Sequence, residues 1–137
     1  MITIQRASRA SHIPADAALR KWAGVALARR ASVTIRYVGE AEGRRLNREF
    51  RGKNYATNVL TFVYADRPLA GDIVVCAPVV AREAREQQKD IAAHHAHLLV
   101  HGMLHLQGFD HERGADAKRM ERHERRLLEK LGFPDPY

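Results

Sequence analysis

Residues 91–107, IAAHHAHLLVHGMLHLQ, are apolar on nearly every side of a helix. Ile91, Ala93, Leu98, Leu99, Val100, Leu104 and Leu106 leave no broad polar face for solvent. Such a helix has to be covered all round, so it belongs in the middle of a domain. Asp90 stands before it as a capping residue, and Gly108 after it as a stop. Whatever this chain folds into must be built around that helix.

The same helix carries chemistry. Six of the eight histidines lie between residues 94 and 111. His101 and His105 are four apart, which stacks them on one helical face and aims two imidazoles at one point. Gly108 permits a left-handed turn, after which His111 can swing back to the same point. Three imidazoles and one open position form the pattern of a catalytic zinc site, although nickel, copper and iron bind such sites too. The spacing fits H-E-x-x-H-x-x-G-x-x-H of the metzincin proteases except at one place. Gly102 stands where those proteases carry a glutamate base. His97 lies one turn before His101, but about 12 Å along the axis from His105, too far to share an ion with it. It is expected to support the ligands or face substrate. Asp110 is expected to orient a ligand imidazole, and His94 and His95 to be structural or exposed.

The rest of the chain fits one domain. Its 137 residues suffice for a single core. Ile2 and Ile4 mark a first strand, and Pro14 opens a helix with Leu19, Trp22 and Ala26 on one face. Val33, Ile35 and Tyr37 alternate as a second strand. A short helix has Leu46 and Phe50 four apart, and a loop runs from Arg51 to Thr57. Strands follow at Val59 to Tyr64 and Asp72 to Ala77, with a turn or short loop at Asp66 to Gly71. Pro78 begins a helix reaching about Gln88. A last helix covers 115–131, with Met120, Leu127 and Leu131 inward. The order β-α-β-α-β-β-α-α-α predicts one α+β domain, in which about five helices pack on a mostly antiparallel or mixed four-stranded sheet and one helix is a zincin-like metal helix.

The net charge of +7 favours a polyanionic partner, nucleic acid foremost. Cys76 is alone, so no intrachain disulfide forms. The segment from Met1 lacks the pattern of a signal peptide, and no apolar run is long enough to span a membrane. A cytoplasmic protein with no membrane partner is expected.

A second stretch is also unusual: Arg48-Glu-Phe-Arg51-Gly-Lys53-Asn-Tyr-Ala-Thr57-Asn58-Val-Leu60. Two basic side chains flank a glycine before a strand, and an arginine fork suits a phosphate. Taken with His101-Gly-Met-Leu-His105-Leu-x-Gly108-Phe-Asp110-His111, with Thr57-Asn58-Val59-Leu60-Thr61-Phe62 and with Gly71-Asp72-Ile73, it resembles the YbeY family, bacterial endoribonucleases also called rRNA maturation factors. The likeness extends over residues 46–111. Asn54, Ala56, Thr61, Val63 and Phe109 depart from the family's usual Asp, Pro, Ser, Pro and Tyr.

The resemblance implies one zinc ion on His101, His105 and His111, and a functional arginine at Arg51. It implies maturation of small-subunit (16S) ribosomal RNA, especially its 3′ end, and ribosome quality control. The partners implied are precursor RNA, the small subunit and its assembly factors. The chain is thus expected to be a zinc-dependent, single-strand-specific endoribonuclease, with Arg51 catalytic and Arg51, Lys53 and His97 contacting substrate. Two other readings are a zinc-stabilised assembly factor with little catalysis, and a metalloprotease. The missing glutamate at Gly102 counts against the protease.

Overall fold

In a computed structural model, residues 1–109 and 113–137 are described. The elements follow the expected order: β1 Ile2–Arg6, α1 Asp16–Val25, β2 Ala31–Val38, α2 Glu40–Arg51, β3 Val59–Asp66, β4 Leu69–Cys76, α3 Ala77–Glu86, α4 Ile91–Leu106 and α5 Gly114–Lys130. They form a single domain on a four-stranded sheet of order β1-β2-β4-β3. The sheet is mixed, with β1–β2 and β2–β4 parallel and only β3–β4 antiparallel. Of the two arrangements expected, mostly antiparallel or mixed, the mixed one is realised, because two of the three pairings link strands separated by helices, which lets them run the same way. The β3–β4 connection is shorter than the Asp66–Gly71 turn expected. Pairing runs to Asp66↔Leu69, so only Arg67 and Pro68 turn the chain.

Alternation along the strands divides the interior in two. Val33, Ile35 and Tyr37 of β2, with Ile73 and Val75 of β4, join the larger core, which includes Leu19 of α1, Leu99 and Met103 of α4, and Met120 and Leu128 of α5. Val38, Val74 and Cys76 face the opposite way, with Leu60 and Val79, and Leu46 of α2 packs there. α4 touches α1, α3, α5, β3 and β4. It is the central helix its composition demands, capped by Asp90, whose carboxylate accepts from Ala93 N at 3.1 Å. Gly108 takes φ +100° just past its end.

The position of the protease glutamate is tightly packed. Gly102 is buried, and a Cβ there would lie 3.2 Å from Ile73 Cγ2. The helix face at 102 rests on β4, so a side chain there would push Ile73 aside and a glutamate would be buried against it.

Two helical faces differ from expectation. The buried residues of α2 are Gly43 and Asn47, while Phe50 is 61% exposed and meets Phe62 edge-on. α5 turns Met120, Glu124 and Leu128 inward, a stripe of spacing four, and leaves Leu127 and Leu131 only partly buried. A glutamate sits in that stripe with no exposure at all.

Candidate active site

Arg51 ends α2 rather than starting a loop. Gly52 adopts φ +69°, its N–H donating to Arg48 O, and Lys53 N donates to Asn47 O at 3.3 Å. This is a left-handed helix stop, which accounts for the glycine between the two cations. The following loop is tied down from behind. Buried Asn47 donates from Nδ2 to Tyr55 O at 2.8 Å, and Arg44 Nε donates to Asn54 Oδ1 at 3.0 Å. Asn58 fixes the loop's far end, donating from Nδ2 to the Glu83 carboxylate while its Oδ1 accepts from Val59 N.

The loop therefore forms a wall, and α4 supplies the wall opposite. A cleft of about 440 Å³ lies between them, lined by Arg51, Lys53, Tyr55 and Asn58 on one side and His101 and His105 on the other. Its described lining has two cations and no carboxylate. The His101 and His105 rings are 4.9 Å apart between centroids. The fold thus brings together residues fifty positions apart. His111 and Asp110, the expected third ligand and its orienting carboxylate, lie outside the described residues.

His97 is placed elsewhere. It is absent from the described lining of this cleft and opens on a separate pocket of about 190 Å³ with His94, Lys89 and Leu128. Its Nε2 donates to Glu124 Oε1 at 2.8 Å. His101 reaches the same oxygen from Nδ1 at 2.9 Å, and the Tyr137 hydroxyl donates to Glu124 Oε2 at 2.7 Å. Burial opposes ionisation of Glu124, but the hydrogen bonds from His101 and His97 outweigh it and hold its carboxyl down at about 2. His97, His101 and Glu124 offer ligand atoms within 4.8 Å of one another, a group that could hold a metal ion.

Sequence reasoning missed Glu124. In the charged helix α5 it looks like one more solvated residue, and only its spacing of four from Met120 and Leu128 marks it as inward. The other histidines have partners of their own. His94 Nε2 lies 2.9 Å from Glu83, and His95 sits between Tyr37 OH at 2.9 Å and His12 Nδ1 at 3.0 Å. Both are buried and structural. A shared metal is therefore not needed to explain the whole histidine cluster, and the case for one rests on His101 and His105.

Fold and site together define a class: an α+β domain whose buried central helix presents histidines to a basic cleft with no carboxylate among its described lining residues. Within that class the chain belongs to the YbeY family. The family profile described as Endoribonuclease YbeY matches residues 5–132. Endoribonuclease YbeY of Aromatoleum aromaticum is 60% identical, over 99% of this chain and 91% of the relative. That of Nitrosomonas eutropha is 56% identical, over 99% and 97%. The solution structure of TM1509 from Thermotoga maritima superposes with a TM-score of 0.62 at 25% identity, covering 96% of this chain and 92% of that one.

Proposed function

We propose that this protein is a zinc-dependent endoribonuclease that cuts single-stranded RNA in the maturation of small-subunit (16S) ribosomal RNA, its 3′ end above all, and in ribosome quality control. The ribosomal role, with the small subunit and assembly factors as partners in the cytoplasm, rests on family resemblance. The nuclease chemistry rests on one observation: Arg51 and Lys53 line the same cleft as His101 and His105.

The residues present suit zinc. His101 and His105 stand a helical turn apart, and His101 Nδ1 is occupied by a buried carboxylate, as is usual for a zinc-bound imidazole. His101, His105 and His111 would hold the ion, one per chain. When bound it supplies Lewis acidity and a water of lowered pKa.

The chain's own residues do the remainder. The Arg51 guanidinium can hold two phosphate oxygens at once, and Lys53 adds a point charge beside it. Together they neutralise charge that builds on the phosphate during cleavage. Tyr55, 58% exposed on the cleft wall, offers a ring on which an unpaired base can stack. A duplex offers no such base, which supports the reading that single strands are the substrate. The lining also argues against proteolysis. No described lining residue is a carboxylate, and Gly102 cannot be one without displacing Ile73.

The test compares a single-stranded RNA oligonucleotide, its duplex and casein as substrates. Each is incubated with zinc-loaded protein, chelator-treated protein, and protein to which zinc has been returned. Cleavage of the single strand alone, lost on chelation and restored by zinc, is expected. RNA binding without cleavage in any state would favour the assembly-factor reading, and casein digestion would favour the protease.

A further inference from the structure

Glu124 is 0% exposed, and every described contact of its carboxylate is a hydrogen bond from a neighbour that can donate. An ionised carboxylate only accepts. Its partners must therefore present protons: His97 at Nε2, His101 at Nδ1, and Tyr137 at its hydroxyl. For His101 this fixes the tautomer. With the proton on Nδ1, Nε2 is the nitrogen left to donate a lone pair to a metal. For His97 the same logic runs the other way. Its Nε2 proton is spent on Glu124, and its Nδ1 is buried with no hydrogen-bond partner among the described residues. His97 thus buttresses the carboxylate from the side away from the cleft. Tyr137 completes the arrangement, its ring lying 5.3 Å from that of His97 and under the Arg125 guanidinium.

We infer that Glu124, braced by His97 and Tyr137, is a positioning residue that fixes His101 as an Nε2 metal ligand, and is not itself a ligand. This rests on the reading of His101 as a zinc ligand. It decides between two uses of the same residues, because His97, His101 and Glu124 would otherwise form a rival metal site. The nitrogens that lie against this carboxylate, His101 Nδ1 and His97 Nε2, are already committed to it by hydrogen bonds. A metal there would also sit beside α5 rather than in the cleft with Arg51. A positioning carboxylate strengthens the imidazole as a donor and prevents ring rotation, and its loss weakens metal affinity by about 10- to 100-fold without abolishing it.

The experiment measures zinc affinity by competition with a chromophoric chelator, alongside long-range proton–nitrogen NMR of the zinc-loaded full chain labelled at histidine. The spectrum is expected to show His101 protonated at Nδ1 and bound through Nε2. Glu124→Gln should bind zinc about 10- to 100-fold more weakly, whereas His101→Ala should lose it. Tyr137→Phe removes one hydroxyl, so it should keep the fold and lose less affinity than Glu124→Gln while His101 keeps its tautomer. Ligation of His101 through Nδ1 would overturn the inference. So would unchanged affinity in Glu124→Gln, or a loss as complete as that of His101→Ala. The wild-type spectrum decides even if Glu124→Gln does not fold. A wild type that binds no zinc would remove the zinc reading itself, a result distinct from zinc bound through the wrong nitrogen.

Discussion

At the scale of single residues, the most telling position is Gly102. The sequence shows only that a protease-like motif lacks its glutamate; the structure shows that one would be buried tightly against Ile73. Helix α4 lies so close to β4 that a Cβ at 102 would press on Ile73. Restoring the protease residue should therefore damage the fold rather than change the chemistry. Gly102→Glu combines overpacking with a buried, unpaired carboxylate, and each alone costs about 1–3 kcal/mol or more. Urea denaturation should show a loss of at least about 3 kcal/mol, and casein should remain uncut. A variant of wild-type stability would mean that the α4–β4 contact is looser than described.

At the scale of elements, the loop after α2 and the helix α4 each carry a prediction. The loop is held from behind by Asn47, whose amide bonds Tyr55 O, so the exposed Tyr55 ring is presented at a fixed place. Tyr55→Ala should weaken single-stranded RNA binding by about 1–3 kcal/mol, and Tyr55→Phe should restore it, since stacking needs only the ring. Equal affinity of wild type and Tyr55→Ala in a filter-binding titration would remove Tyr55 from the substrate path. In α4, His95 is wedged between Tyr37 and His12. Burial chiefly, then the nearby His12 and His94, pushes its pKa down to about 3, against about 6.5 in the unfolded chain. Between those values the unfolded state binds a proton that the folded state refuses. Stability should therefore fall as pH drops from about 6.5 towards 3, with a slope of up to about 1.4 kcal/mol per pH unit from this one group. Urea midpoints measured across that range should decline less steeply in His95→Asn. An unchanged slope would assign the acid sensitivity to other groups.

At the scale of the whole molecule, much of the architecture was legible because strand alternation and helix stops are local signals. Ile2 and Ile4, Val33 to Tyr37, Asp90 and Gly108 all acted as their types suggest. Strand pairing was less legible, since whether β2 runs parallel to β4 depends on how the chain crosses the sheet, which no local pattern records. The site divided along the same line. His101 and His105 were readable from a spacing of four, and Arg51 from its company in the sequence. Glu124 was hidden because a charged residue on a charged helix carries no mark of burial except its register with Met120 and Leu128. Among the described residues no helix is long and apolar enough to cross a membrane. What the tertiary structure adds is the meeting of Arg51 with the α4 histidines across one cleft, on which the whole functional account depends. The most direct test is the single-turnover rate at which zinc-loaded Arg51→Ala cleaves a single-stranded RNA, with zinc content measured on the same sample. The account predicts that the variant keeps its zinc and its fold but cleaves roughly 30- to 1,000-fold more slowly, a loss of about 2–4 kcal/mol, with Arg51→Lys recovering only part. Cleavage at the wild-type rate by Arg51→Ala would contradict it.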